Sequence, residues 1–497
     1  MPQLLSAQTD WLQFGFDARH SGVNPFEVEI SQSGVGVHGV ASLQALYHVP
    51  LPAIVNSAPI FLSQVATPLG VRDLLFMTAL DGRLMARDAA DGSEVWSQQP
   101  LAPPFDVSPW GYGTSSAPAI APDRAFVYSY AFDGKIHKWQ VGTGVESVGD
   151  GWPEVVTLKP QVEKASGALT IATTSDGHTY LYAVTSAFYG DAGDYQGHVT
   201  SIDLDTGAQT VFNVMCSDQN VHFADSAEPD CDMRGSGVWG RGGLVFDDAT
   251  QRIYMTSGNG LYDANTGGHH FGDSVLALSA AGNGAAGLPL DSYTPTNYQD
   301  LQFADADLGA LTVAILPPIA GSRFAHLGVQ GGKDYKLRLL NLDDLSGQHG
   351  PAHVGGELSI VAISISETVT PQLVVWTDPT DGQVYIISSV NQCFRVDVDT
   401  DGNPSLTSIW PPVGSYWASS VIANDVGFFT DGRLIAFDPR TGEWLWSDMQ
   451  YQGYGHWQSP IVVNGKIYYT DESGQSGMLS AYGLGADEIF AGDFEFL

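Results

Sequence analysis

The sequence predicts an all-β fold: one eight-bladed β-propeller of four-stranded antiparallel blades, with the ring closed by an N-terminal strand. Three observations predict it. The 497 residues include 57 glycines and 27 prolines scattered between short apolar runs with no collagen period, the mark of many turns joining short strands. Aligning the chain against itself recovers one unit eight times. The starts of those units lie roughly 40 to 75 residues apart, enough for four short strands and their loops.

The elements follow in chain order. "SLQALYHVPL" (42–51) reads as an outermost strand with no blade of its own, so it is expected to complete the last blade and leave no open sheet edge at the seam. Small residues followed by an apolar strand, as in "SAPIFL" (57–62) and "SAPAIA" (116–121), suit the crowded innermost strand of a blade. The clearest full unit is "DGRLMARDAADGSEVWS" (81–97): a turn, an alternating strand, an Asp- and Gly-containing turn, and a strand ending in Trp. Weaker copies are "DGKIHKWQVGTGVES" (133–147), "QGHVTSIDLDTGAQTVF" (196–212), "GDSVLALSAAGNG" (272–284), "DYKLRLLNLDDLSG" (334–347) and "NQCFRVDVDTDGNPSL" (391–406). "ASSVIA" (418–423) and "DGRLIAFDPRTGEWLWS" (431–447) repeat the strong pattern, and "QSPIVV" (458–463), "GKIYYT" (465–470) and "GMLSAYGLG" (477–485) supply the last blade. The Trp or Phe ending a fourth strand is expected to pack between neighbouring blades. Residues 1–485 therefore form a single propeller domain, with 1–41 as an extension packed on it and 486–497 as a tail.

Charge narrows the partners. With 55 acidic and 20 basic residues the net charge is -35, which repels phosphate backbones and anionic lipid heads and so excludes nucleic acid. No apolar run is long enough to span a membrane. The start, "MPQLLSAQTDW", has neither a basic n-region nor an apolar h-region, which fits a mature secreted or periplasmic bacterial domain whose signal peptide is absent from this chain. Cys216 and Cys231 flank the polar loop "SDQNVHFADSAEPD", which has no core-forming pattern and would gain from a disulfide; Cys393 is left over and expected to be buried.

The "LxALDxxTGxxxW" shape of the units resembles the blade repeat of the pyrroloquinoline quinone (PQQ) propeller superfamily, and "WLQFGFDARHSGVNP" (11–25) looks like the start of its smaller members. That superfamily includes alcohol and methanol dehydrogenases as well as cofactor-free assembly lipoproteins. The stretch "GSGVWGRGGLVFDDATQRIYMTSGNG" (235–260) is similar to the dehydrogenase segment in which a Trp lies beneath the quinone and an Asn binds a metal. The resemblance thus implies Trp239 as stacking platform and Asn259 as metal ligand. It also implies, from "FADADLG" (303–309), Asp305 as catalytic base and Asp307 as a further metal ligand, with the two roles exchangeable. "VQGGKDYKLRLLNL" (329–342) picks out Lys333 as the residue that hydrogen-bonds the quinone carbonyls. The metal-binding Glu of the pattern falls in "YGDAGDYQG" (189–197), which offers only Asp191 and Asp194; Asp194 is taken as the ligand. The types suit the chemistry: a flat face for an orthoquinone, a cation such as Ca²⁺ or a lanthanide to polarise its carbonyl, and a carboxylate to take a hydroxyl proton.

Other positions depart from the pattern. No two cysteines are adjacent, "GTSSAPAI" (113–120) lacks the expected Arg, and no CxxCH is present, so no c-type haem is expected and electrons would need an external acceptor. Two readings follow. One is a PQQ- and metal-dependent dehydrogenase oxidising a small-molecule or polymeric alcohol; the other is a non-enzymatic propeller that binds a protein or saccharide and keeps a degenerate pocket. The bland alternatives are an inter-blade wedge for Trp239, a turn residue for Asn259 and a solvated loop pair for the two aspartates. In "GLYDANTGGHHFGD" (260–273) the adjacent His269 and His270 face opposite ways, so a metal shared with Asp263 or Asp273 is not expected.

Overall fold

The structure, a computed structural model, describes residues 8–35, 43–101, 113–219, 231–363, 372–388, 392–411, 418–454, 457–473 and 476–485. The expected tail 486–497 and most of the loop between Cys216 and Cys231 lie outside the described residues. Eight antiparallel blades of four strands follow one another in chain order, and the sheet of blade 7 carries a fifth short strand, Val23–Asn24, parallel to Val421–Ala423. Blade 1 runs from Ile60–Thr67 to Glu94–Gln98, blade 2 from Ala119–Ile120 to Glu154–Val155, and blade 3 from Thr170–Thr173 to Gln209–Asn213. Blade 4 runs from Leu244–Asp247 to Asp291–Tyr293, blade 5 from Ala314–Ile315 to Ser359–Ala362, and blade 6 from Val374–Thr377 to Pro404–Trp410. Blade 7 runs from Val421–Ala423 to Trp444–Ser447. Blade 8 takes three strands from Ile461–Val463 to Met478–Leu484, and its fourth is Leu43–Pro50, antiparallel to Met478–Leu484. The ring closes as the sequence predicts.

The aromatic residues at the ends of outer strands seal blade to blade. Trp96 of blade 1 donates from Nε1 to Val141 O of blade 2 at 2.9 Å, and its ring covers Gly144, where an added Cβ would come within 2.6 Å of the indole. Trp410 of blade 6 repeats this on Pro439 O and Gly442 of blade 7. Both glycines hold positive φ, so the turn needs glycine twice over, for its conformation and for the ring above it. At the seam Tyr47 takes the place of the Trp: its hydroxyl donates to Ala89 O of blade 1 and its ring covers Gly92.

An innermost strand leaves one edge of amides facing the axis, and unpaired buried N–H groups are costly. Residues 11–24 bond to the inner strands of seven of the eight blades in turn. Trp11 pairs in both directions with Phe61 of blade 1, and Ile120 N of blade 2 donates to Leu12 O at 2.8 Å. Ile171 of blade 3 is met by a side chain, its N–H donating to Gln13 Oε1 at 2.8 Å while Gln13 Nε2 donates to its carbonyl. Phe246 N of blade 4 reaches Ala18 O, Val375 N of blade 6 reaches Ser21 O, and Ile422 N of blade 7 reaches Gly22 O. Asn24 Nδ2 ends the circuit on Val462 O of blade 8 at 2.8 Å. Phe14 meanwhile packs among Ala58, Ala117 and Ala168 of blades 1 to 3.

Cys216 and Cys231 form a disulfide, and Cys393 is free and buried, both as the sequence predicts. Among the described residues no helix is long and apolar enough to cross a membrane.

Candidate functional site

The connection into blade 4 carries Trp239, and glycines let it run close to its neighbours. Gly258 N donates to Gly237 O at 2.8 Å and Ser236 N to Asn259 O at 2.8 Å, joining "GSGVW" to "SGNG" through the backbone. A Cβ on Gly258 would fall 2.6 Å from Asp307 Oδ1 and 3.1 Å from Trp239 Nε1, so only glycine lets the indole and the carboxylate flank this turn. Gly309 is equally constrained, its Cβ position lying 2.5 Å from Gly258 N.

Asp305 and Asp307 enter from the loop after the helix Tyr298–Ala304. Asp305 closes that helix in the left-handed conformation, φ 52°, its N–H bonded to Leu301 O, which swings its side chain out of the helical path. The two aspartates then differ. Asp307 is buried: Oδ1 accepts the Asn259 amide at 2.8 Å, and Oδ2 accepts from Lys333 Nζ at 2.5 Å. Asp305 is 70% exposed at its side chain, with Oδ1 3.3 Å from Asn259 Nδ2 and 3.9 Å from Lys333 Nζ. Partial burial, together with the nearby charges of Asp307 and Asp191, holds the Asp305 carboxyl above its ordinary range, and Lys333 offsets part of this.

Lys333 is fixed from both ends. Its backbone N–H donates to Asp307 O at 3.0 Å, and its ammonium, besides bonding Asp307, lies 5.1 Å from the centroid of the Trp239 ring. An aromatic face and a carboxylate thus share one cation. Asn259 Oδ1 is buried and has no hydrogen-bond partner in the protein.

Five residues distant in sequence, Trp239, Asn259, Asp305, Asp307 and Lys333, are therefore brought together. The Trp239 ring lies against Gly258 and Lys333, where Trp96 and Trp410 each cover a turn glycine of the next blade. Asp194 lies apart from the five: its Oδ2 is 3.3 Å from Nζ of the buried Lys159. Asp191, from the same loop, is the carboxylate whose charge reaches Asp305, and its Oδ1 accepts from Tyr195 at 2.7 Å. Among the described residues, the loop 260–273 does not bring three metal-ligating side chains together. His270 Nδ1 accepts the Cys216 amide while its Nε2 lies 3.9 Å from Asp263, His269 faces Asp218, and Asp273 is buried against Leu308.

The model of a protein family described as PQQ, glucose/ethanol/alcohol dehydrogenase, beta-propeller domain, matches residues 37–285, half of the chain. The chain belongs to this family. In fold it is similar to quinohemoprotein alcohol dehydrogenase ADHIIG from Pseudomonas putida HK5, at 14% identity and a TM-score of 0.63, covering 96% of this chain and 80% of that one. A quinohemoprotein alcohol dehydrogenase from Comamonas testosteroni is similar at 15% identity and a TM-score of 0.62, with 97% and 81% covered. A europium-containing methanol dehydrogenase is similar at 14% identity and a TM-score of 0.64, with 95% and 98% covered. A comparison with curated protein sequences finds no match.

Two residues of this PQQ propeller to which the sequence assigned no role stand out in space. Asp273, at φ 47°, accepts the amide of Leu308 beside Asp307, and burial pushes its carboxyl up to about 8. Arg241, two residues after Trp239, is buried at the ring axis. Each looked like an ordinary turn or loop residue in sequence, because what sets it apart is burial.

Proposed function

We propose that this chain is a secreted, PQQ- and metal-dependent dehydrogenase that oxidises an alcohol and passes electrons to an external acceptor. The observation that carries the reading is the convergence of Trp239, Asn259, Asp305, Asp307 and Lys333, which come from separate loops yet meet within hydrogen-bonding and stacking reach. Membership of the family and the fold shared with alcohol and methanol dehydrogenases support it.

The residues present fit the groups that the reading requires. Asn259 Oδ1 is a buried oxygen without a partner, and it adjoins two carboxylates against one ammonium, leaving net negative charge and hard oxygen donors for Ca²⁺ or a lanthanide ion. Asn259 and Asp307 would hold the metal. The Trp239 face would support a flat quinone, and Lys333, lying over the indole, would hydrogen-bond its oxygens. When bound, PQQ supplies the two-electron acceptor that no side chain here provides. Asp305 is the base in this reading: it is the exposed carboxylate of the pair, and its raised affinity for protons suits acceptance from an alcohol hydroxyl. Asp307 has both oxygens engaged, by the Asn259 amide and by Lys333, so its place in this reading is with the metal and not as the base. Asp194 would join the metal only by leaving Lys159, so Asp191 is the more accessible third carboxylate.

The test is reconstitution of the full chain with PQQ and Ca²⁺ or La³⁺, read as quinone absorbance retained after desalting and as dye-linked alcohol oxidation. Absence of both would leave the non-enzymatic binding propeller as the surviving reading.

A further inference from the structure

In register with the clasp made by residues 11–24, the residue five places before each clasp-bonded position forms one layer around the axis. Blades 1, 2, 3, 4 and 8 contribute Asn56, Ser115, Ser166, Arg241 and Trp457 to it. Arg241 crosses this layer: Nη2 donates to Asn56 O at 2.8 Å and Nη1 to Ser115 O at 3.1 Å. Its guanidinium carbon lies 5.8 Å from the Phe14 ring below and 5.9 Å from that of Trp457. The side chain is 3% exposed, Nε is buried with no hydrogen-bond partner, and no carboxylate among the described residues pairs with it.

Two other buried cations of this chain are held differently. The buried Arg338 is ion-paired with Asp334, and the buried Lys159 with Asp194. Carbonyl oxygens and ring faces bond a guanidinium without cancelling its charge, and a charge taken out of water without a counter-charge is strongly disfavoured. Burial alone pushes the Arg241 guanidinium down to about 9, so it is still protonated at neutral pH. The surroundings add donors and acceptors that the protein also leaves unused. Ser116 Oγ, Ser419 Oγ and both amide atoms of Gln372 are buried and unpartnered, and each of these three residues lies three or four places before its clasp-bonded residue. Gly242, next to Arg241, adjoins both Gln372 and His20: its Cβ position lies 2.9 Å from Gln372 Oε1 and 3.0 Å from His20 Nδ1. His20 itself is kept neutral by burial and supplies no competing cation.

We propose that Arg241 is the cationic anchor of an oxyanion subsite on the ring axis, which takes a carboxylate or a similar small oxyanion. The planar fork presents its unused Nε–H to such a group, and the neighbouring hydroxyls and amide complete the donor set. The subsite stands independently of the dehydrogenase reading, because its occupant need not be redox-active.

The experiment is thermal unfolding of the full chain at neutral pH in acetate, in sulfate and in chloride at matched ionic strength, with isothermal calorimetry of acetate and sulfate. The expected result is a saturable rise in Tm, and measurable heat, with one of the two oxyanions beyond the chloride control. Saturation at lower concentration with acetate identifies the carboxylate of an organic ligand as the occupant, and with sulfate a free inorganic oxyanion. Arg241→Gln abolishes the effect, and Arg241→Lys, which keeps the charge but not the fork, weakens the affinity about tenfold. If Arg241→Gln does not fold, the lysine variant and the heats of the parent decide. No saturable effect in the parent, or an undiminished one in either variant, overturns the proposal.

Discussion

The ammonium of Lys333 lies 2.5 Å from Asp307 Oδ2 and 5.1 Å from the ring centroid of Trp239, so one cation ties a buried carboxylate to an aromatic face. Replacing it with methionine leaves Asp307 buried and uncompensated. Lys333→Met is expected to cost about 2–3 kcal/mol in a denaturant titration, below the upper range for buried pairs because water reaches part of this one. Added Ca²⁺ should recover part of that loss by supplying the missing charge.

Asp305 is the opposite case. Its side chain is mostly exposed, so Asp305→Asn should change stability by less than about 0.5 kcal/mol. In the reconstituted protein the same change should lower kcat by about a hundredfold or more, since the proton acceptor is gone, while quinone absorbance is retained. A stable variant with unchanged turnover would transfer the role of base to Asp307.

The two kinds of tryptophan separate by stability. Trp96 docks on Gly144 of the next blade, and Trp96→Ala should cost about 3 kcal/mol or more, the range for a large buried aromatic. Trp239→Ala, which breaks no inter-blade seal, should cost less than half of that by the same measurement.

Asp273 gives the pH dependence a sign. Its carboxyl is raised to about 8 in the folded protein, well above the ordinary carboxylate value of the unfolded chain, so the folded state holds a proton that the unfolded state releases. Its contribution to stability is full below about pH 4 and declines as pH rises, until it is lost above about 8. Asp273→Asn keeps the acceptor for Leu308 N and should flatten that slope when Tm is followed from pH 5 to pH 9.

The clasp can be tested at Gln13, whose amide both accepts from and donates to Ile171. Gln13→Ala leaves a buried amide and carbonyl of blade 3 unpaired and should cost about 1–3 kcal/mol.

The fold was legible because its signals are local. Asp- and Gly-rich turns, small residues ahead of apolar strands and the terminal Trp recur in every strong unit, and the spare strand 43–50 announced its pairing with Met478–Leu484. The order of Trp239, Asn259, Asp305, Asp307 and Lys333 was legible through resemblance, although their separate roles were not. The clasp was hidden because five of its seven links are backbone to backbone and leave no mark on side-chain pattern. Arg241 was hidden for another reason: between glycines it reads as an exposed basic residue, and only the register of eight inner strands buries it at the axis. Asp194 and Asp191 are three residues apart in a loop without periodicity, so sequence had no means of knowing that Lys159 claims the first.

In the proposed function the cluster around Trp239 and Asp307 binds a quinone and a metal. This is tested most directly by titrating the full chain with PQQ, with and without La³⁺, and following absorbance and Trp fluorescence. One equivalent bound per chain, dependent on the cation and abolished by Trp239→Ala, is expected. No saturable binding by a folded parent chain, with either Ca²⁺ or La³⁺ present, would contradict it.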